Sequence, residues 1–94
     1  MKAIYAGTVI AESDRTVVVE GNHYFPPEDV NMEYLEDSKL KTTCGWKGVA
    51  SYFHVAAGDQ KAENAAWIYT ETKEQAAHIK GYIAFWKGVQ VVSD

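Results

Sequence analysis

The segment Thr42-Thr43-Cys44-Gly45-Trp46-Lys47-Gly48-Val49-Ala50-Ser51-Tyr52-Phe53 gathers the side chains best suited to chemistry. Cys44 is the only cysteine of the chain. A thiol becomes a nucleophile or redox centre when a cation or a helix N-terminus lowers its pKa. Lys47 and His54 are the cations at hand. Against that reading, a free cysteine is often buried and packs as a small hydrophobe. Gly45-Trp46-Lys47-Gly48 sets a lysine beside two glycines, a pattern in which backbone N–H groups and an ammonium can meet an anion. It lacks the Gly-x-x-x-x-Gly-Lys-Ser/Thr spacing and the following helix of a phosphate loop. A β-bulge with an exposed lysine is the plain structural alternative.

The second set is aromatic: Tyr24, Tyr52, Trp67, Tyr69, Phe85 and Trp86. A 94-residue chain must bury most of these rings. Tyrosine hydroxyls and indole N–H groups need partners once buried. A concave site lined by rings with a few polar tips is the usual form of a small-ligand pocket. Tyr52, Trp67 and Tyr69 come close to Cys44 and Lys47 if their two strands pair. Metal binding finds no support: His23, His54 and His78 are widely spaced and no Cys-x-x-Cys pair exists, so neither a metal site nor a cofactor is expected.

The elements that must position these residues read as follows. Ala3 to Glu12 holds the strand-like run Gly7 to Ala11, and Ser13-Asp14-Arg15 is a turn signal. Thr16 to Glu20, with three consecutive valines, reads as a strand buried on nearly both faces and hairpinned to the first. Gly21-Asn22 is a two-residue hairpin turn leading to His23-Tyr24-Phe25, so three successive antiparallel strands are expected. Pro26-Pro27 stops the third, because neither proline can donate to a ladder. Glu28 to Leu35 reads as a helical turn or an irregular excursion, and Glu36 to Lys39 as a polar loop. Leu40 to Thr43 is extended. Val49 to Ala56 alternates, with Val49, Ser51, Phe53 and Val55 opposite Ala50, Tyr52, His54 and Ala56: a long central strand. Ala57 to Glu63 reads as a polar connection. Asn64 to Thr70 alternates again, with Ala66 and Ile68 opposite Ala65, Trp67 and Tyr69, and completes a second hairpin. Thr72-Lys73-Glu74-Gln75 has the form of a capping box. A short helix to Lys80 follows, with Ala76 and Ile79 inward and Gly81 as its left-handed stop. Tyr82 to Trp86 and Val89 to Val92 are further strands around a Lys87-Gly88 turn.

Bulk properties bound the function classes. The chain is 47% hydrophobic and 13% aromatic, enough for a single packed domain over residues 1–94. Net charge is −4 and the pI about 5.3, which argues against nucleic acid or an anionic membrane as the main partner. The N-terminal stretch lacks the apolar run of a signal peptide and no stretch approaches a membrane span, so the expectation is a cytoplasmic protein.

Five segments in order carry a family resemblance: Ala11-Glu12-Ser13, Tyr24-Phe25-Pro26, Cys44-x-x-Lys47-Gly48-x-Ala50-x-Tyr52, Ala66-Trp67-x-Tyr69 and Ala84-Phe85. Together they resemble the domain-of-unknown-function 427 family along nearly the whole chain. The sequence departs from the family pattern at Gly45-Trp46, where proline and an aromatic are usual, and at Thr72-Lys73, where a proline is usual. The resemblance implies a mainly β fold: a small antiparallel β-tent-like domain with one or two short helices, similar in topology to methionine-sulfoxide reductase B and the Mss4 proteins. It implies no established activity. A nucleotidyltransferase-like label attached to the family finds no matching residues. Asp29, Glu33, Glu36 and Asp37 lie in a polar stretch without a glycine-rich phosphate-binding neighbour. Only the resemblance raises Glu12 above a solvated hairpin-end acid.

The expected function is binding of a small anionic molecule in an aromatic-lined pocket, with an enzymatic role left open. Glu12, Tyr24, Lys47, Tyr52, Trp67 and Tyr69 form its lining, and Cys44 is nucleophile or wall. The alternative is a non-catalytic protein-interaction module using a sheet face or edge.

Overall fold

The computed structural model describes residues 1–93. Among the described residues nine strands form: β1 (Lys2–Tyr5), β2 (Thr8–Glu12), β3 (Val17–Val19), β4 (Asn22–Tyr24), β5 (Leu35–Cys44), β6 (Gly48–Ala57), β7 (Gln60–Ile68), β8 (Ile83–Phe85) and β9 (Gln90–Val92). They form a three-stranded sheet in the order β2-β1-β9, a two-stranded ribbon β3-β4, and a four-stranded sheet β5-β6-β7-β8. All pairings are antiparallel. The mainly β, antiparallel reading therefore holds. No helix among the described residues is long and apolar enough to cross a membrane.

Turn chemistry explains the first half and corrects its reading. The Ala3–Glu12 stretch is not one strand. Ala6 and Gly7 take positive φ, 51° and 76°, and fold it into the β1–β2 hairpin with Tyr5 opposite Thr8. β2 does not pair with β3. Between them the chain is pinned instead by side chains: Ser13 Oγ donates to Asp29 Oδ2 at 2.6 Å, and the Arg15 amide donates to Ser13 Oγ at 3.0 Å. The second hairpin turns at Glu20-Gly21, one residue earlier than expected, with φ of 55° and 80°. Val19 faces Asn22 across it, so Asn22 is already strand. The valine strand is half-buried on one side only, through Val17 and Val19, and Val18 is 57% exposed, because a two-stranded ribbon has just one covered face.

The polar stretches at 36–39 and 57–63 are strand, not loop. Their charged side chains are exposed at the ends of β5 and β7, and Lys61 on β7 bridges to Glu36 on β5 at 2.9 Å. Only Gly58 and Asp59 remain for the β6–β7 turn. A register shift between Phe53 and Val55 on β6 faces Asn64, whose φ is 55°. The extra β7 residues there bring Ala65 into the same apolar cluster as Ala66, rather than onto the Trp67 face.

No regular α-helix forms among the described residues; the short helical pieces are 3₁₀ turns at Pro27–Asp29, Met32–Tyr34 and Glu74–Ile79. The expected capping box is absent, since no side chain caps the last of these and Lys73, not Thr72, precedes it. Ala76 and Ile79, both buried, are three residues apart, which suits a period of three rather than 3.6. Gly81 does take the left-handed conformation, with φ 79°, and its amide bonds the Tyr69 carbonyl at 2.9 Å.

The four-stranded sheet separates two apolar clusters. One face, with the three-stranded sheet, buries Ala3, Ile10, Phe25, Val55, Ile83 and Phe85 among others. The other packs Tyr24, Ala50, Trp67, Tyr69, Ala84 and the Ala76–Ile79 turn. Neighbours in sequence part company across the pleat: Tyr24 from Phe25, Ala66 from Trp67, Ala84 from Phe85. The β3–β4 ribbon reaches the main sheet through Phe25 and Ile83, which exchange backbone hydrogen bonds of 2.7 and 2.9 Å. That join carries Tyr24 and the ribbon tip over the aromatic face.

Candidate functional site

On the aromatic face lies a cavity of about 240 Å³, lined by Asn22, Tyr24, Lys47, Tyr52, Trp67, Tyr69 and Trp86. Each element delivers its residue for a local reason. β6 and β7 pair with Tyr52 opposite Trp67, so the odd-even alternation of both strands sets these rings side by side. Their centroids are 6.3 Å apart at an interplanar angle of 39°. Tyr24 meets the same indole edge-on at 6.2 Å and 87°, and Trp86 meets it at 5.8 Å and 82°. Trp67 is thus the hub of three ring contacts, edge-to-face geometry being worth about 0.5–1.5 kcal/mol per pair beyond burial.

Polar tips are satisfied as the rings are buried. Trp67 Nε1 donates to Tyr24 Oη at 3.2 Å, which leaves the single Tyr24 O–H to be directed elsewhere. Tyr52 Oη pairs with Thr42 Oγ1 at 3.1 Å, and Trp86 Nε1 donates to the Asn64 carbonyl at 2.7 Å. Burial pushes the Tyr69 phenol up to about 12 and raises Tyr24 as well, so both stay neutral donors.

Lys47 is the cation of the site. Its side chain is only 8% exposed, and its ammonium donates to the Glu20 carboxylate on the β3–β4 turn. It also lies 5.0 Å from the Trp46 ring centroid and 5.8 Å from that of Tyr69. Burial alone would lower the ammonium; the bond to Glu20, with Tyr24, Tyr69 and Cys44, leaves it above the ordinary lysine value. The same bond from Lys47 holds the Glu20 carboxyl below the usual carboxylate range.

Lys47 is not on a bulge. Cys44 pairs with Gly48, and Gly45-Trp46-Lys47 is the loop of the β5–β6 hairpin. A second segment pins that loop: the Lys73 amide donates to the Lys47 carbonyl at 3.0 Å, and Lys73 Nζ to the Gly45 carbonyl at 2.6 Å. Gly48 is obligatory there. Its φ is +124°, and a Cβ would sit 2.9 Å from the Glu71 carbonyl oxygen.

Five of the expected residues converge on this cavity: Tyr24, Lys47, Tyr52, Trp67 and Tyr69. Cys44 does not line it. The thiol is half-buried against the aromatic cluster, next to the wall. A hydrogen bond from the Trp46 amide outweighs burial and, with the Lys47 amide and charge, holds it below the ordinary thiol value. Glu12 does not join the site. It stands exposed on β2, in the other sheet, 3.8 Å from Lys2. Asn22, Trp86 and Glu20 were missed. Trp86 was legible as part of the aromatic set, whereas no local signal marks Asn22 or Glu20. No three His, Cys, Asp or Glu side chains among the described residues converge to hold a metal.

The convergence falls on the segments that carry the family pattern. The family model for a domain of unknown function, DUF427, matches residues 1–94. The chain belongs to this family. No curated protein matches it. Within the DUF427 chain, Tyr24, Lys47, Tyr52, Trp67 and Tyr69 come from three separate stretches of the match and meet at one cavity. Glu12, from a fourth stretch, lies elsewhere.

Proposed function

We propose that this DUF427 domain binds a small anionic molecule on its aromatic face. Lys47 contacts the anionic group. Tyr52, Trp67 and Trp86 hold the body of the ligand by ring contact, and Tyr24, Tyr69 and Asn22 supply neutral hydrogen-bonding tips. Cys44 serves as structure behind Lys47, its thiol held by loop amides. The observation that carries this reading is a buried ammonium set at the edge of a cavity lined by five aromatic residues. A buried charge is retained only with a partner; Glu20 supplies one from the exposed ribbon tip, and the cavity beside Lys47 leaves room for another from outside the chain.

The test is a metabolite panel read by thermal shift on the whole chain. A ligand at a hundred times its Kd stabilises the fold by about 2.7 kcal/mol. Anionic members should raise the melting temperature of the wild type and lose that effect in Lys47→Met. A panel in which anions shift both proteins equally, or shift neither, defeats the reading.

A further inference from the structure

The Lys47 ammonium at the edge of the cavity already has an anionic partner from within the chain, although Glu20 itself does not line the cavity. Glu20 reaches Lys47 from the tip of the β3–β4 ribbon, across 27 residues of sequence. Its backbone takes φ 55° as the first central residue of a two-residue hairpin turn. Asn, Asp or Gly are the residues suited to that position, and a glutamate is disfavoured there. The longer carboxylate side chain is what a glutamate adds. It is 54% exposed while its lysine partner is 8% exposed, so it can swing into water at little cost while Lys47 cannot.

Resting on the function proposed above, we infer that Glu20 is an internal competitor for the Lys47 ammonium, and that the pocket takes a planar aromatic or heteroaromatic monocarboxylate in its place. Three observations select that class. Among the described residues Lys47 is the only cationic side chain in the lining, and neither arginine nor histidine joins it. One ammonium balances the single charge of a carboxylate, whereas a phosphate dianion would leave a negative charge uncompensated in the partly buried site. Exchange of the Glu20 carboxylate for that of a ligand leaves the buried charge paired, while a neutral ligand that displaced Glu20 would strand it. The cavity, about 240 Å³, is smaller than the roughly 300–1,000 Å³ of pockets for drug-sized molecules, and its walls are rings. A one- or two-ring acid fits both facts.

Calorimetric titration of the full chain with indole-3-carboxylate, indole, phenyl phosphate and inorganic phosphate tests the assignment. Wild type, Glu20→Gln, Glu20→Asn and Lys47→Met are compared. Asparagine suits the left-handed turn and is too short to reach Lys47, so Glu20→Asn keeps the test open should Glu20→Gln fold poorly. If the internal pair is closed nine-tenths of the time, its removal tightens apparent affinity about tenfold. Indole-3-carboxylate should therefore bind wild type, bind both Glu20 variants about tenfold more tightly, and lose binding in Lys47→Met. Indole should show no such dependence on Glu20. Equal or weaker carboxylate binding in both Glu20 variants overturns the competition. Phenyl phosphate binding as tightly as the carboxylate overturns the ligand class but leaves an anion pocket standing. No binding by either ring anion to any variant overturns the inference, and the metabolite panel then decides separately whether the pocket takes an anion of another kind.

Discussion

The two faces of the four-stranded sheet are built from the same strands and do opposite things. Toward the three-stranded sheet, Ile10, Phe25, Val55, Ile83 and Phe85 are fully or nearly fully buried, with no polar atom in their side chains. Phe25 and Phe85 pack edge-on at 5.5 Å. On the reverse face every large ring carries a polar tip, a hydroxyl on Tyr24, Tyr52 and Tyr69 and an indole N–H on Trp67 and Trp86; an ammonium and a cavity interrupt the packing. One face is closed against water and the other is kept partly open to it. A small domain has little stability to spare, so an open face is retained only where its neighbour supplies the burial. The closed apolar core and the cavity thus sit back to back, a strand's thickness apart.

This division can be broken or sharpened by substitution, beginning with the largest effect. Phe25→Ala should cost about 3–5 kcal/mol, seen as a lower urea midpoint at unchanged m-value. Trp86→Ala, on the cavity face where the residue is 44% exposed, should cost less. An equal or larger loss at Trp86 would erase the distinction between the faces.

Gly48→Ala tests the pinning of the Lys47 loop. A methyl 2.9 Å from the Glu71 carbonyl, on a backbone at φ +124°, should destabilise by about 2 kcal/mol or more. Hydrogen exchange at the Lys73 amide should quicken. A neutral effect would mean that the loop and the 71–73 segment are not held together.

Tyr24→Phe removes the acceptor of the Trp67 indole N–H and leaves that group buried without a partner, at about 1–3 kcal/mol. The indole emission of Trp67 should shift with it. Stability indistinguishable from wild type would remove Tyr24 Oη from the account.

Acid separates the faces in a further way. The bond from Lys47 depresses Glu20 on the open face, and the bond from Ser13, with Arg15, depresses Asp29 at the β2–β3 corner. A carboxyl depressed in the folded state binds fewer protons than in the unfolded chain. Its contribution is present above the unfolded pKa, about 3.9 for Asp and 4.3 for Glu, and is lost as pH falls through the folded value. The melting temperature should therefore fall on the acid side in two additive parts. Glu20→Gln should flatten one and Asp29→Asn the other, since the sites share no partner. Strong coupling between the two variants would contradict the separation.

The smallest effect is expected at Cys44. Cys44→Ser should leave ligand response nearly unchanged. Alkylation of the native thiol should follow a pH profile displaced below that of the unfolded chain, in keeping with its loop amides. Loss of ligand response in Cys44→Ser would return the thiol to the site.

Much of this was legible residue by residue. Alternation over Val49–Ala56 set Tyr52 and Ala50 on one face and Phe53 and Val55 on the other, and the clusters divide that way. Pro26 and Pro27 ended a strand, and Gly81 marked a left-handed stop. The misses share a cause. Polar residues at 36–39 and 57–63 resemble loop when their neighbours are unknown, but a strand with one solvated face accepts them. Glu20 looked like the end of a valine strand, and Glu12 entered the site through the family resemblance alone, because neither residue's partner is set locally.

The sequence by itself determined periodicity, strand breaks and turn chemistry, since each depends on a few consecutive residues and on φ/ψ that those residues tolerate. It thereby established a mainly antiparallel β fold and a set of rings on one strand face. Only the tertiary structure decided that the β3–β4 ribbon joins β8 through Phe25 and Ile83 and brings Glu20 to Lys47. That pairing depends on which strand edge finds which partner, a choice made by burial of the whole apolar surface rather than by any segment's own preference. The site owes its walls to local alternation and its charge pair to that long-range choice.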